Sequence, residues 1–146
     1  MEITFIIPGK PVAKGRPRFS TAGKFVKTYT PEQTARYENL VKLMYQERAN
    51  GRRFEDDEMI SVVIEAHFEI PSSTSKKKKE AMLKDELRPI TKCDLDNIMK
   101  IICDALNGVA YRDDSRIVAA LLVKKYSENP CVIVTLKSWG INNGLE

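Results

Sequence analysis

The sequence predicts an α+β domain built on a single mixed β-sheet with helices packed against it, in the order β-α-β-α-α-β-β. Three observations predict it. Ile3, Phe5 and Ile7 alternate with Glu2 and Thr4, as in a half-buried strand. Two stretches, 37–45 and 98–106, carry apolar residues at helical spacing. Runs rich in β-branched residues precede Pro71 and flank Asn129-Pro130. The 146 residues suit one domain, 1–146, large enough to fold without disulfides or metal. Hydrophobic residues make up 42% and charged residues 30%, which disfavours disorder and collagen-like structure. No apolar stretch approaches the ~20 residues of a transmembrane helix, so no membrane partner is expected.

Residues 2–7 form the first strand. From Lys10 to Lys27, Pro11, Gly15, Pro17 and Gly23 break any helix or central strand, which predicts a loop. Thr30-Pro31-Glu32 then supplies an N-cap, a first-turn proline and an early acid. That helix runs to about Asn50, stops at Gly51, and turns Tyr37, Leu40, Val41, Met44 and Tyr45 to the core. Met59 to Ile70 reads as a strand ended by Pro71. Residues 75–86 form a short polar helix whose run Lys76–Lys79 is exposed. The third helix starts near Asp94 and ends at Asn107-Gly108, with Ile98, Ile101, Ile102, Ala105 and Leu106 on one stripe. Ile117–Tyr126 and Cys131–Lys137 are read as an antiparallel hairpin turning at Asn129-Pro130, and 140–146 as a frayed tail.

The N-terminus has no positive region before its apolar run, unlike a signal peptide. Cys93, Cys103 and Cys131 are odd in number and form no CxxC pair, so a reduced, cytoplasmic protein is expected. The net charge of +4 says little, but its placement says more. Lys10, Lys14, Arg16, Arg18, Lys24 and Lys27 fall in one stretch without a single acid, interrupted by Phe19 and Phe25. Six cations alone describe a solvated loop. With prolines stiffening Gly15 to Phe19 and no acid to neutralise them, they suit a polyanion whose phosphates meet Lys and Arg and whose bases stack on aromatic rings.

Asp94-Leu95-Asp96-Asn97 opens the third helix, Lys100 follows one turn after Asp96, and Asp113-Asp114 precedes the next strand. Separately these are a helix cap, an i,i+4 pair and a turn. Together they are harder to set aside. Two carboxylates at 4 Å repel by about 4 kcal/mol at an effective dielectric near 20, and a hard divalent cation would relieve that repulsion. All-oxygen ligands suit Mg²⁺, which can acidify a bound water and offset charge on a phosphodiester. A neighbouring lysine could orient that water or stabilise developing negative charge. Carboxylates that hold a metal and a basic loop that holds a backbone describe a nuclease. A calcium loop from Asp94 would need a ligand at Ile98, glycine at Met99 and glutamate at Ala105. No GxxxxGK[ST] loop is present. His67, the single histidine, reads as a packed strand residue, and Cys93 and Cys103 as structural.

The stretch Pro8–Phe19, followed by Asp94-Leu95-Asp96-Asn97 with Lys100, then Asp104-Ala105-Leu106-Asn107-Gly108 and Tyr111-Arg112-Asp113-Asp114-Ser115-Arg116-Ile117, resembles the RusA-type Holliday junction resolvases in the right order over nearly the whole chain. The resemblance implies a homodimeric, Mg²⁺-dependent endodeoxyribonuclease, with Mn²⁺ as a substitute ion. It would cut four-way DNA junctions by paired incisions, in recombination and repair and usually in a bacterial or prophage setting. Carried over residue by residue, it makes Asp94, Asp96, Lys100 and Asp114 the active site, the three aspartates holding the metal, and Asp113 a neighbour. Lys10, Lys14, Arg16, Arg18 and Phe19 are the expected DNA contacts. Cys93 departs from the family pattern, which expects proline or a basic residue there, and 72–89 is longer than in compact members. Two other classes remain open on the residues alone. One is a binding module for branched or single-stranded DNA whose aspartates are caps and turns. The other is a metal-dependent sugar transferase, for which no further feature speaks.

Overall fold

In β1 (Glu2–Pro8) Ile3, Phe5 and Ile7 are buried and the residues between them exposed, as their alternation requires. The computed structural model describes residues 1–14, 18–20, 27–29 and 32–140, and for 18–20 and 27–29 the backbone alone. The expected tail beyond Gly140 and the expected cap at Thr30-Pro31 lie outside the described residues. Within the stretch expected to be a loop, β2 (Arg18–Ser20) pairs antiparallel with β3 (Lys27–Tyr29), Phe19 opposite Thr28. Neither run contains proline or glycine, so the pairing loses no backbone donor.

The helix α1 (Glu32–Ala49) buries Tyr37, Val41, Tyr45 and Ala49, one per turn, with Leu40 and Met44 packed at the margin. It ends at Asn50 and Gly51, both at positive φ (52° and 85°). The Tyr45 ring meets Phe5 edge-on, centroids 5.6 Å apart, which fastens α1 to the first strand. Three further strands, β4 (Ile60–Glu69), β5 (Ile117–Ser127) and β6 (Cys131–Ser138), complete a four-stranded mixed sheet in the order β1-β6-β4-β5. β6 is antiparallel to both β1 and β4, and β4 is parallel to β5.

This order corrects the expected hairpin. β5 and β6 run in opposite directions, but β4 lies between them. The connection after Ser127 passes the end of β4, since Ser127 pairs with Glu69 and Cys131 with His67. Pro71 has by then ended β4, which leaves that path open. Placing β4 centrally buries Ile60, Val62, Ile64 and Ala66 almost completely.

Parallel β4 and β5 require a long crossover. It carries α2 (Lys76–Leu83) and α3 (Leu95–Ala105). Ser75 caps α2 by accepting a hydrogen bond from the Lys78 N–H at 3.3 Å, and Lys76–Lys79 are exposed. In α3, Ile98, Ile101, Ile102 and Ala105 are fully buried, and the helix packs on α1 and β5. Among the described residues no helix is long and apolar enough to cross a membrane, and the three cysteines are unpaired.

After α3 the chain turns at Gly108, whose φ of 73° suits glycine and whose N–H donates to Tyr111 O at 2.8 Å. This turn returns the chain toward β5. Gly108→Ala is expected to lower stability by about 1–2 kcal/mol through its backbone alone, since a Cβ there meets nothing within 4 Å. Urea unfolding checks it; an unchanged midpoint would contradict the strained turn.

Candidate active site

α3 sets the first half of the site. Cys93, at φ 89°, turns the chain into the helix, and its side chain lies 3.7 Å from Pro11 O. Proline, whose ring fixes φ near −65°, could not take that conformation. Asp94 follows in the N-cap position with extended backbone (φ −66°, ψ 144°), yet its side chain makes no capping hydrogen bond. Asp96 lies in the first turn, and both carboxylates are exposed. The helix dipole favours negative charge at this end.

Lys100 reaches away from Asp96. Its Nζ lies 3.0 Å from Asp104 Oδ1 and 3.9 Å from Asp114 Oδ2. Asp96 and Asp104 stand one turn to either side of Lys100, so spacing alone cannot choose between them. Asp104 is only 18% exposed, and a partly desolvated carboxylate attracts an ammonium more strongly than one in open water. Its hydrogen bond and charge, with a smaller contribution from Asp114, hold Lys100 above the ordinary lysine range.

Asp114 opens a single 3-10 turn, Asp114–Arg116, just before β5. The paired aspartates divide there. Asp113 caps the turn, accepting the Ser115 N–H at 2.7 Å, and that bond holds its carboxyl below the usual range. Asp114 instead faces Lys100. Arg116 Nε donates to Asp56 O at 2.6 Å and pins the turn. A shallow cleft of about 210 Å³ lies here, lined by Met99, Lys100, Cys103, Asp114, Ile117 and Ala120. Burial pushes the Cys103 thiol up to about 12, so it remains protonated and no nucleophile.

The basic stretch enters the same region. Val12 and Ala13 pack on the core, and the Lys14 N–H donates to Asn97 O at 2.8 Å, inside the first turn of α3. Lys14 Nζ lies 2.8 Å from Glu38 Oε1 and 3.5 Å from Asp104 Oδ2. Its ammonium, expected on a DNA phosphate, is thus engaged with two carboxylates in this structure. Lys10 pairs with Glu69 at 3.1 Å, both well exposed. Arg16 lies outside the described residues, and Arg18 and Phe19 stand in β2 by their backbone alone.

The structure therefore joins Lys100 to Asp114 and lays the start of the basic stretch against the Asp94–Asn97 turn. It does not gather Asp94, Asp96 and Asp114 into one cluster: among the described residues no three His, Cys, Asp or Glu side chains are grouped as metal ligands. Asp104 and Glu38 were missed as members of the site. The signal for Asp104 was its place four residues after Lys100; nothing local marks Glu38, which α1 delivers from another part of the chain.

Residues 8–137 match the family described as endodeoxyribonuclease RusA. The chain is also similar to a protein of Bacillus subtilis (strain 168), YqaN, described as uncharacterized. The two are 36% identical over 135 residues, covering 92% of this chain and 95% of that protein. The family match runs from the last residue of β1 to the penultimate residue of β6 and encloses α3, the Asp114 turn and the basic stretch. The chain belongs to the RusA endodeoxyribonuclease family, nucleases that resolve Holliday junctions.

Proposed function

We propose that the chain is a Mg²⁺-dependent endodeoxyribonuclease that resolves four-way DNA junctions as a homodimer, with Asp94, Asp96 and Asp114 as metal ligands and Lys100 beside the reacting phosphate. The observation that carries this is the contact of Lys100 with Asp114, which links the Asp94–Asn97 helix to the turn before β5. The donor chemistry fits: Asp94 occupies a cap position without using its carboxylate as a cap, so its oxygens remain available to a hard cation. When bound, Mg²⁺, or Mn²⁺ in its place, would supply an acidified water and offset charge on the phosphodiester. The Lys100 ammonium offers positive charge to the transition state, and Asp104 holds it in place. Lys10, Lys14, Arg16 and Arg18 hold the phosphate backbone, with Phe19 available to stack on a base. In that role Lys14, whose ammonium has three donors, adds a phosphate to its contacts with Glu38 and Asp104. A homodimer fits a substrate that is nearly two-fold symmetric and needs two strands cut.

The test is a labelled four-way junction incubated with the protein in Mg²⁺, in Mn²⁺ and in EDTA. Paired incisions in Mg²⁺ that EDTA abolishes are expected. A junction bound but uncut under every metal condition would leave a DNA-binding module in place of the nuclease.

A further inference from the structure

We infer that Asp104 is a positioning residue of the site: it holds the Lys100 ammonium toward Asp114 and, by sharing its second oxygen with Lys14, ties the basic stretch to the same helix. The inference rests on the endonuclease function proposed above and adds a residue to it. Three contacts carry it. Asp104 Oδ1 meets Lys100 Nζ at 3.0 Å, and Asp104 Oδ2 meets Lys14 Nζ at 3.5 Å. Lys14 is held from its other side by Glu38 at 2.8 Å. The Asp104 carboxylate is four-fifths buried, whereas Lys100 is 56% exposed. The acid is therefore the fixed member of the pair and the lysine the one that must be aimed.

The division of oxygens matters. A carboxylate with one cation can rotate and carry its partner along, but a cation on each oxygen fixes its plane. Lys14 is itself anchored by its backbone bond to Asn97 O and by Glu38 on α1. Asp104 is thus clamped from outside α3, and the position of Lys100 inherits that clamp. Lys100 is a long, flexible side chain whose geometry a lone exposed contact with Asp114 at 3.9 Å would not define. The same carboxylate also couples two parts of the proposed machinery, so ordering of Lys14 on DNA is felt by the residue that aims Lys100.

The test measures single-turnover cleavage of a four-way junction in Mg²⁺, junction binding in EDTA, and thermal unfolding. Asp104→Asn is expected to slow cleavage by about tenfold to a hundredfold while binding changes by less than about threefold, because a misaimed group affects the chemical step more than the complex. Asp104→Glu, which keeps the charge, should restore most of the rate and guards against a folding defect in the asparagine variant. A merely structural role would lower the unfolding midpoint and binding together. Combined with Lys100→Gln, Asp104→Asn should add almost nothing, since a residue acting through Lys100 has no effect once Lys100 is gone. Wild-type cleavage with Asp104→Asn equally fast, or effects that multiply in the double variant, would overturn the role of Asp104 alone. A wild type that cuts under no metal condition would overturn the endonuclease reading, and this inference with it.

Discussion

Asp94→Asn is expected to lower Mg²⁺-supported junction cleavage by about a thousandfold, or about 4 kcal/mol of transition-state stabilisation, with junction binding kept. Asparagine keeps the shape of the side chain and one carbonyl oxygen but removes the negative charge that would attract a hard cation. It should cost little stability. The Asp94 carboxylate is exposed and makes no capping hydrogen bond, so the fold does not depend on it. Binding should hold or tighten slightly, because one negative charge is withdrawn from a surface that must approach phosphates. Cleavage assays on the labelled junction, with gel-shift binding in EDTA and an unfolding curve, separate these effects. Full cleavage by the variant would remove Asp94 from the catalytic set.

The adjacent aspartates offer the second large contrast. Asp114→Ala should abolish most cleavage, by about a hundredfold or more, while leaving the thermal midpoint nearly unchanged, since its ion pair with Lys100 is loose and substantially exposed. Asp113→Ala should do the reverse. It removes the acceptor for the Ser115 N–H, so the midpoint falls, while the cleavage rate stays within about threefold of wild type. Two neighbours of the same type thus divide into a cap and a site group. Equal effects of both substitutions on both measurements would show that the division is wrong.

Much of the fold was legible where periodicity is local. The alternation of Ile3, Phe5 and Ile7 and the stripe from Ile98 to Leu106 each report which face an element buries, and the structure buries those faces. Pairing was less legible. Ser127 to Cys131 has the length and residues of a hairpin turn, and nothing near it says that β4 will take the place between the two strands. That outcome depends on how much apolar surface the whole sheet buries. The basic stretch showed the same limit on a small scale: its prolines and glycines hid two three-residue runs able to pair. At the candidate site, residue types and order pointed to Asp94, Asp96, Lys100 and Asp114. Spacing could not choose a partner for Lys100, because Asp96 and Asp104 are equally near along the helix. Burial chose Asp104, and burial belongs to the folded molecule. Lys14 was legible as a cation but not as one facing Glu38, a residue on a different helix.

The parallel pairing of β4 with β5 has a consequence for when the protein can act. Ile60 pairs with Ile117, and every residue of the proposed catalytic set lies in the chain between those two strands. Closing so long a loop is slow, because its entropy is lost before the contacts that reward it form. The Asp114 turn is held against α3 only once β5 has found its place beside β4. A chain in which β5 has not yet paired with β4 lacks the turn that opposes α3, whatever the state of the helix itself. The proposed cutting site therefore depends on the β4–β5 pairing as well as on α3, and neither alone assembles it.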